Sequence, residues 1–325
     1  MPRLKRVEPY LSPGFTRVRR GRGFGYVHST GGSPGRAERA RITELAIPPA
    51  WEDVWISDAA NAHILAVGVD AAGRHQYLYH PVWRERQDAE KFERMTALAS
   101  ALPSARRSVA RDLAERELTR QRVLAAAFRT LDLGGIRIGS EESLAGFRSR
   151  GLTTLLVRNA RLEDEDVVRF RFRAKGGIAQ DLRISDAALA GFIERAGERS
   201  PAGRLYAWPV GRSVRAAAPV DVNDDIRERT GGDFTAKDFR TLRGTMTTAE
   251  HLAGIGPEGT ARARKAAVRD AIEEAARTLG NTPAIARGSY VDPRVLVAYE
   301  QGLVVASGAD REARLIELLD RVSGA

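Results

Sequence analysis

A tyrosine, Tyr290, closes the basic, small-residue stretch NTPAIARGSY at residues 281 to 290. Upstream lie KDFR, holding Lys237 and Arg240, FRAKGG, holding Lys175, and GIRIG, holding Arg137. These residue types suit one chemistry. A phenol, with an ordinary pKa of ~10, becomes a nucleophile when nearby positive charge or a base favours its phenolate. Planar guanidinium forks hold the non-bridging oxygens of a phosphodiester and stay charged as charge builds there. A lysine on a mobile turn can be carried to a departing oxygen and give it a proton. The set points to cleavage and rejoining of a DNA strand through a phosphotyrosine. Singly, each residue also has an ordinary reading: a tyrosine packed between helices, a surface or ion-paired arginine, a solvated turn lysine.

Lysine is scarce in this chain. Of 52 basic residues only Lys5, Lys91, Lys175, Lys237 and Lys265 are lysines, so 52 − 5 = 47 are arginines. A position that needs only positive charge is here usually Arg, whereas a proton donor must be able to lose its proton, which Arg does not do near neutrality. Lys175 and Lys237 both fall inside the segments named above. The formal net charge of +10, spread along the chain, favours a polyanionic partner, and double-stranded DNA is the partner expected.

Other chemistries find little support. The chain has no cysteine, which excludes disulfides, zinc ribbons and a thiol nucleophile. His28, His63, His75, His80 and His251 show no zinc spacing, and the acidic run Glu163 to Asp166 reads as a solvated turn between strands. No GxxxxGK[ST] loop occurs, so no ATP site, metal or other cofactor is expected. No apolar run reaches the ~20 residues of a membrane helix and no secretory signal is read, so a cytoplasmic protein is the expectation.

The elements that must position these groups read as an α+β chain in two domains, with the boundary near residue 85. Residues 1 to 85 hold short aromatic and β-branched runs at 22 to 27, 53 to 57, 63 to 69 and 74 to 80, with a hairpin turn at Asp70 to Gly73 and a short helix over about 36 to 46. Arg74, Gln76, Tyr77 and Tyr79 interleave basic, amide and aromatic groups on that last strand, as a groove-contacting ribbon would. Residues 86 to 325 read as mainly helical. Helices are expected at 82 to 102 and 104 to 132, broken at Pro103. Three strands, 153 to 157, 167 to 174 and 179 to 184, make an antiparallel insertion with Lys175-Gly176-Gly177 at a hairpin tip. Ser185 is expected to cap a helix running to about Ala196. Further helices are expected at 221 to 230, 235 to 253, 257 to 279, 292 to 301 and 309 to 322, with Gly280 ending the third of these and Tyr290 in a loop.

Taken in order, RGFGYV, AIPPAWEDVWI, DAAGRHQYLYH, GGIRIGSEE, GLTTL, FRAKGG, KDFRTLRGT and LGNTPAIARGSYVDPRV resemble the poxvirus-like, bacterial branch of the type IB DNA topoisomerases over nearly the whole chain. The resemblance implies a β-rich N-terminal clamp domain and a mainly α-helical catalytic domain closing round duplex DNA. It implies relaxation of supercoiled DNA without ATP or metal, through a 3′-phosphotyrosyl intermediate. It assigns Tyr290 as nucleophile, Arg137 and Arg240 as the catalytic arginines, Lys175 as general acid and Lys237 as a helping lysine. It makes Arg74, Gln76, Tyr77 and Tyr79 DNA contacts. Two departures stand out. Viral members carry histidine where Asn281 stands; an amide can still donate to a phosphate oxygen but brings no charge, so weaker transition-state stabilisation is expected. Ser140, Glu142 and Ser143 replace basic and aromatic residues that read DNA in viral members, which removes the ground for expecting the same site preference. The rival readings are a tyrosine recombinase or integrase, which typically carries HxxR where this chain has KxxR, and a non-catalytic DNA-binding protein.

Overall fold

In the computed structural model residues 3 to 323 are described, and the chain divides into two compact units, Met1–Lys91 and Phe92–Ala325.

The first unit is built on one antiparallel sheet. Its strands are β1 (Gly14–Arg20), β2 (Gly23–His28), β3 (Glu52–Ser57), β4 (Ile64–Val69) and β5 (His75–Tyr79), in the order β2-β1-β3-β4-β5. Alternation along β3 sends Val54 and Ile56 to one face and Trp55 to the other. Both faces are covered. Val54 and Ile56 join Phe15, Ala66 and Ile42 of helix α1 (Arg36–Glu44), while Trp55 packs with Ile64 and Val67. The sequence had not revealed β1, whose arginine-rich second half hides a strand pattern. The turn expected at Asp70 to Gly73 forms: Gly73 N–H donates to Asp70 C=O at 2.9 Å, and Gly73 takes φ +75°.

The second unit is mainly helical, and the long helix α2 (Pro81–Leu113) runs into it from the first. Here the expected break at Pro103 is corrected. Pro103 lies on the exposed face of a continuous helix whose other face buries Leu98, Ala99, Leu102 and Ala105, and that packing outweighs the missing N–H. The chain breaks instead after Leu113, and Thr119 caps α3 (Arg120–Gly134) by accepting from Arg122 N–H. Helix α3 is central to this unit: Val123, Leu124, Ala125, Ala126, Ala127, Phe128 and Leu131 are all buried. Phe128 meets Phe239 edge-on at 5.1 Å, and Thr130 Oγ1 accepts from the buried Tyr206 hydroxyl at 2.7 Å.

A short helix α4 (Glu141–Phe147), unforeseen in the sequence, follows the GIRIG segment. The strand expected at 153 to 157 does not form. Leu152–Thr154 and Val157–Asn159 are tight single turns, and between them the buried Leu156 pairs with Arg204 only as an isolated bridge. The third strand of the small sheet is β6 (Ala160–Leu162), beside β7 (Val167–Arg173) and β8 (Ala179–Ser185). Ser185 ends β8, and Asp186, not Ser185, caps α5 (Ala187–Gly197) by accepting from Leu189 N–H at 2.7 Å. A second hairpin, β9 (Ala207–Val210) with β10 (Ser213–Ala216), was not read from the sequence. The remaining helices are α6 (Pro219–Thr230), α7 (Ala236–Ile255), α8 (Ala261–Leu279), α9 (Pro283–Tyr290), α10 (Pro293–Glu300) and α11 (Arg311–Ser323). Gly280 takes φ +58° and ends α8 as expected, while Tyr290 is the last residue of a helix and not in a loop.

Candidate active site

Helix α7 brings Arg240 to the site. At its start Asp238 accepts from Thr235 N–H at 2.8 Å and from Arg94 Nη2 at 3.0 Å, fixing the first turn. Phe239, Leu242 and Met246 are buried against the core, and Arg240 is only 3% exposed. Its Nη1 donates to Gly135 C=O and its Nη2 to Leu279 C=O at 3.0 Å. Among the described residues no carboxylate pairs with it, and Nε is a buried donor without an acceptor. Burial depresses its pKa, Tyr290 opposes that, and Arg137 adds to it. A buried cation held by two carbonyls beside a phenol, with no carboxylate partner among the described residues, suits an anion arriving there.

The guanidinium carbon of Arg240 stands 4.8 Å from the centre of the Tyr290 ring. Tyr290 is half-buried at the end of α9, a helix started by Thr282 and Pro283. Two neighbours on α7 fix its backbone. Thr245 Oγ1 donates to Tyr290 C=O at 3.2 Å and accepts from Asp292 N–H at 3.1 Å. Gly244 leaves the room: a methyl group there would lie 2.6 Å from the Tyr290 oxygen. Burial by itself raises the Tyr290 pKa, but the charges of Arg240, Arg137 and Lys237 outweigh it, and the phenol is held below its ordinary value. Lys237, one turn before Arg240, is itself exposed.

Arg137 follows the left-handed turn at Gly135, φ +57°. Its segment pairs with the GLTTL segment: Leu152 N–H donates to Arg137 C=O at 2.8 Å and Thr153 N–H to Ile138 C=O at 2.9 Å. Gly151 permits this approach, since a methyl group there would lie 2.5 Å from the Arg137 oxygen. Arg137 Nη2 donates to Asn281 Oδ1. A guanidinium only donates, so the bond fixes which way the amide faces and leaves Asn281 Nδ2 as a second buried donor without an acceptor.

Tyr290, Arg240, Arg137, Asn281 and Lys237 thus gather in one place. Lys175 does not join them through any contact. It sits exposed at the turn between β7 and β8, and among the described residues it makes no hydrogen bond or ion pair. Gly244, Gly151 and Thr245 are the supporting residues that the sequence reading missed. In the first unit Asp70 Oδ2 accepts from Arg74 Nε and Gln76 Nε2, both at 2.9 Å, and Tyr77 and Tyr79 stack at 5.8 Å. Arg74, through its hydrogen bonds to Asp70, brings that carboxyl down to about 2. Among the described residues no group of acidic or histidine side chains is arranged to hold a metal.

Residues 80–301 match the family described as eukaryotic DNA topoisomerase I, catalytic core. The chain belongs to the type IB DNA topoisomerases. Residues 23–70 match the bacterial DNA topoisomerase IB N-terminal domain. The DNA topoisomerase 1B of Acanthamoeba polyphaga mimivirus is 26% identical over 274 residues, covering 80% of this chain and 79% of that one. Membership makes the protein an isomerase that acts on DNA. Among the described residues no helix is long and apolar enough to cross a membrane.

Proposed function

We propose that this topoisomerase relaxes supercoiled duplex DNA by nicking one strand through a 3′-phosphotyrosyl link at Tyr290 and then resealing it. Tyr290 Oη bonds to phosphorus as the P–O5′ bond breaks, and the phenolic proton passes to water. Lys175 gives the proton that O5′ needs to leave, with Arg137 assisting. Arg240, Arg137 and Asn281 hold the non-bridging oxygens of the five-coordinate phosphorus, and Lys237 helps keep the phenol reactive. The freed end rotates, and the 5′ hydroxyl attacks back. The covalent link conserves the bond, so neither ATP nor metal is consumed. Arg74, Gln76, Tyr77 and Tyr79 contact the duplex, and the enzyme works as a monomer in the cytoplasm, at the nucleoid.

One observation carries the reading. A half-buried phenol, its pKa brought below normal, faces a buried arginine that has no carboxylate. Burying a cation without an anion is unfavourable, and a phosphate beside the phenol supplies the anion. The test is relaxation of a negatively supercoiled plasmid in EDTA without ATP. The parent should relax it. Tyr290→Phe should not, while still binding DNA. Relaxation by the phenylalanine variant would refute the assignment.

A further inference from the structure

The hairpin that carries Lys175 is seated on the site by one face of β8. Gln180, Leu182 and Ile184 alternate along that strand and so share a face. Each packs against backbone that only glycine leaves open. A methyl group on Gly280 would lie 1.7 Å from Gln180 Nε2 and 2.7 Å from its Cδ. One on Gly134 would lie 2.7 Å from Leu182 Cδ2 and 3.2 Å from Ile184 Cδ1. These two glycines stand just upstream of the groups proposed to hold the phosphate: Gly280 directly before Asn281, and Gly134 three residues before Arg137. The strand therefore touches the chain on both sides of the Arg137–Asn281 hydrogen bond.

Gln180 is the last of these anchors before the tip. It lies opposite Phe172, one pair inside Arg173–Ala179, where the ladder ends. Beyond that the turn is closed only by Gly177 N–H to Ala174 C=O at 3.0 Å and Ala174 N–H to Ile178 C=O at 2.8 Å, with Gly176 and Gly177 both at positive φ. Among the described residues Lys175 has no hydrogen-bond or ion-pair partner to fix where it stands. Its position is set by how the strand behind it is seated and by the packing of the turn beside α4.

We infer that Gln180, lodged against Gly280, is a positioning residue that aims the Lys175 hairpin at the leaving oxygen. This rests on the assignment of Lys175 as the proton donor. In the step it serves, the electron pair of the P–O5′ bond leaves with O5′, which takes a proton from Lys175 Nζ. Tyr290 Oη makes the new bond to phosphorus and releases its own proton to water, and water returns a proton to the lysine amine. Shortening Gln180 lets the hairpin drift, which weakens the proton delivery and leaves the phenol and its arginines where they are.

The test is single-turnover cleavage by the full chain of two duplexes, one with the ordinary bridging oxygen and one with sulfur in its place. A thiol, with an ordinary pKa of ~8.5, leaves as the thiolate without needing the proton. Gln180→Ala should be slowed about 10- to 100-fold on the oxygen duplex, as small misplacements in an active site are, and should cleave the sulfur duplex close to the parent rate. Gln180→Met, which keeps the length of the side chain over Gly280, should recover most of the loss. An alanine variant that is unimpaired, or equally slow on both duplexes, overturns the inference. Lys175→Ala run alongside separates the two claims. Its recovery on sulfur upholds the proton-donor assignment even if Gln180 fails. Its failure to recover removes that assignment and the inference with it.

Discussion

In the proposed reaction Arg240 and Tyr290 form the pair on which the chemistry turns. The arginine is buried at a cost in desolvation and is steadied by the carbonyls of Gly135 and Leu279, while the phenol beside it is held below its ordinary pKa. The sign of the pH dependence follows. In the proposed reaction the phenolate attacks, so cleavage should rise with pH through the depressed Tyr290 pKa and level off above it. Arg240→Ala removes the main charge favouring the phenolate. Its rising limb should move to higher pH, and at fixed pH the rate should fall about 10²- to 10³-fold, as for loss of one donor to a developing oxyanion. A pH series of single-turnover cleavage reads both effects, and an unmoved limb would count against Arg240 as the group that tunes the phenol. The five gathered residues could be singled out in the sequence because their types suit the proposed chemistry. Thr245 and Gly244 were not. They act on the Tyr290 backbone from inside a helix, and a buried helical threonine looks in sequence like any other packed residue.

Among the elements, α7 does two jobs. It presents Arg240 from one turn and ties down Tyr290 with the next. Thr245→Val keeps the shape and removes both hydrogen bonds, leaving the Tyr290 carbonyl and the Asp292 N–H without that partner. Denaturant unfolding should show a loss of about 1–3 kcal/mol, and Thr245→Ser should restore most of it. A valine variant as stable as the parent would mean that water or another group takes over the two bonds. Phe128, at the contact of α3 with α7, is a pure packing residue. Phe128→Ala should lose about 3–5 kcal/mol in the same assay. The elements that were misread share a cause. The pattern of apolar residues reports burial, and burial at 153 to 157 comes from the core around two tight turns, not from a sheet. Pro103 was read as a break because local preference disfavours it, yet an exposed proline on a long, packed helix is tolerated. The β sheet of the first unit was plainer, because Val54, Trp55 and Ile56 alternate between two covered faces.

At the scale of the molecule, the net charge of +10 gives the chain a general attraction for DNA that the reacting groups do not account for. Non-covalent binding should weaken linearly in log affinity against log salt, by about 0.9 per phosphate neutralised. Tyr290→Phe should keep that slope, because the phenol contributes chemistry and no charge to the complex. Equilibrium binding of a short duplex at several salt concentrations measures this, and a flat dependence would contradict DNA backbone as the main ligand. Composition and charge made the partner legible from the outset. The assembly of the site was less so, since Arg137, Arg240 and Tyr290 stand far apart along the chain and the packing of α3, α7 and α9 brings them together.

The most direct measurement is to stop the enzyme on DNA with denaturant, digest the adduct and identify the linked residue and the linked strand end by mass spectrometry. The account predicts a peptide containing Tyr290 esterified to a 3′ phosphate. A link at any other residue, a 5′ phosphate at Tyr290, or relaxation with no covalent adduct at all would contradict it.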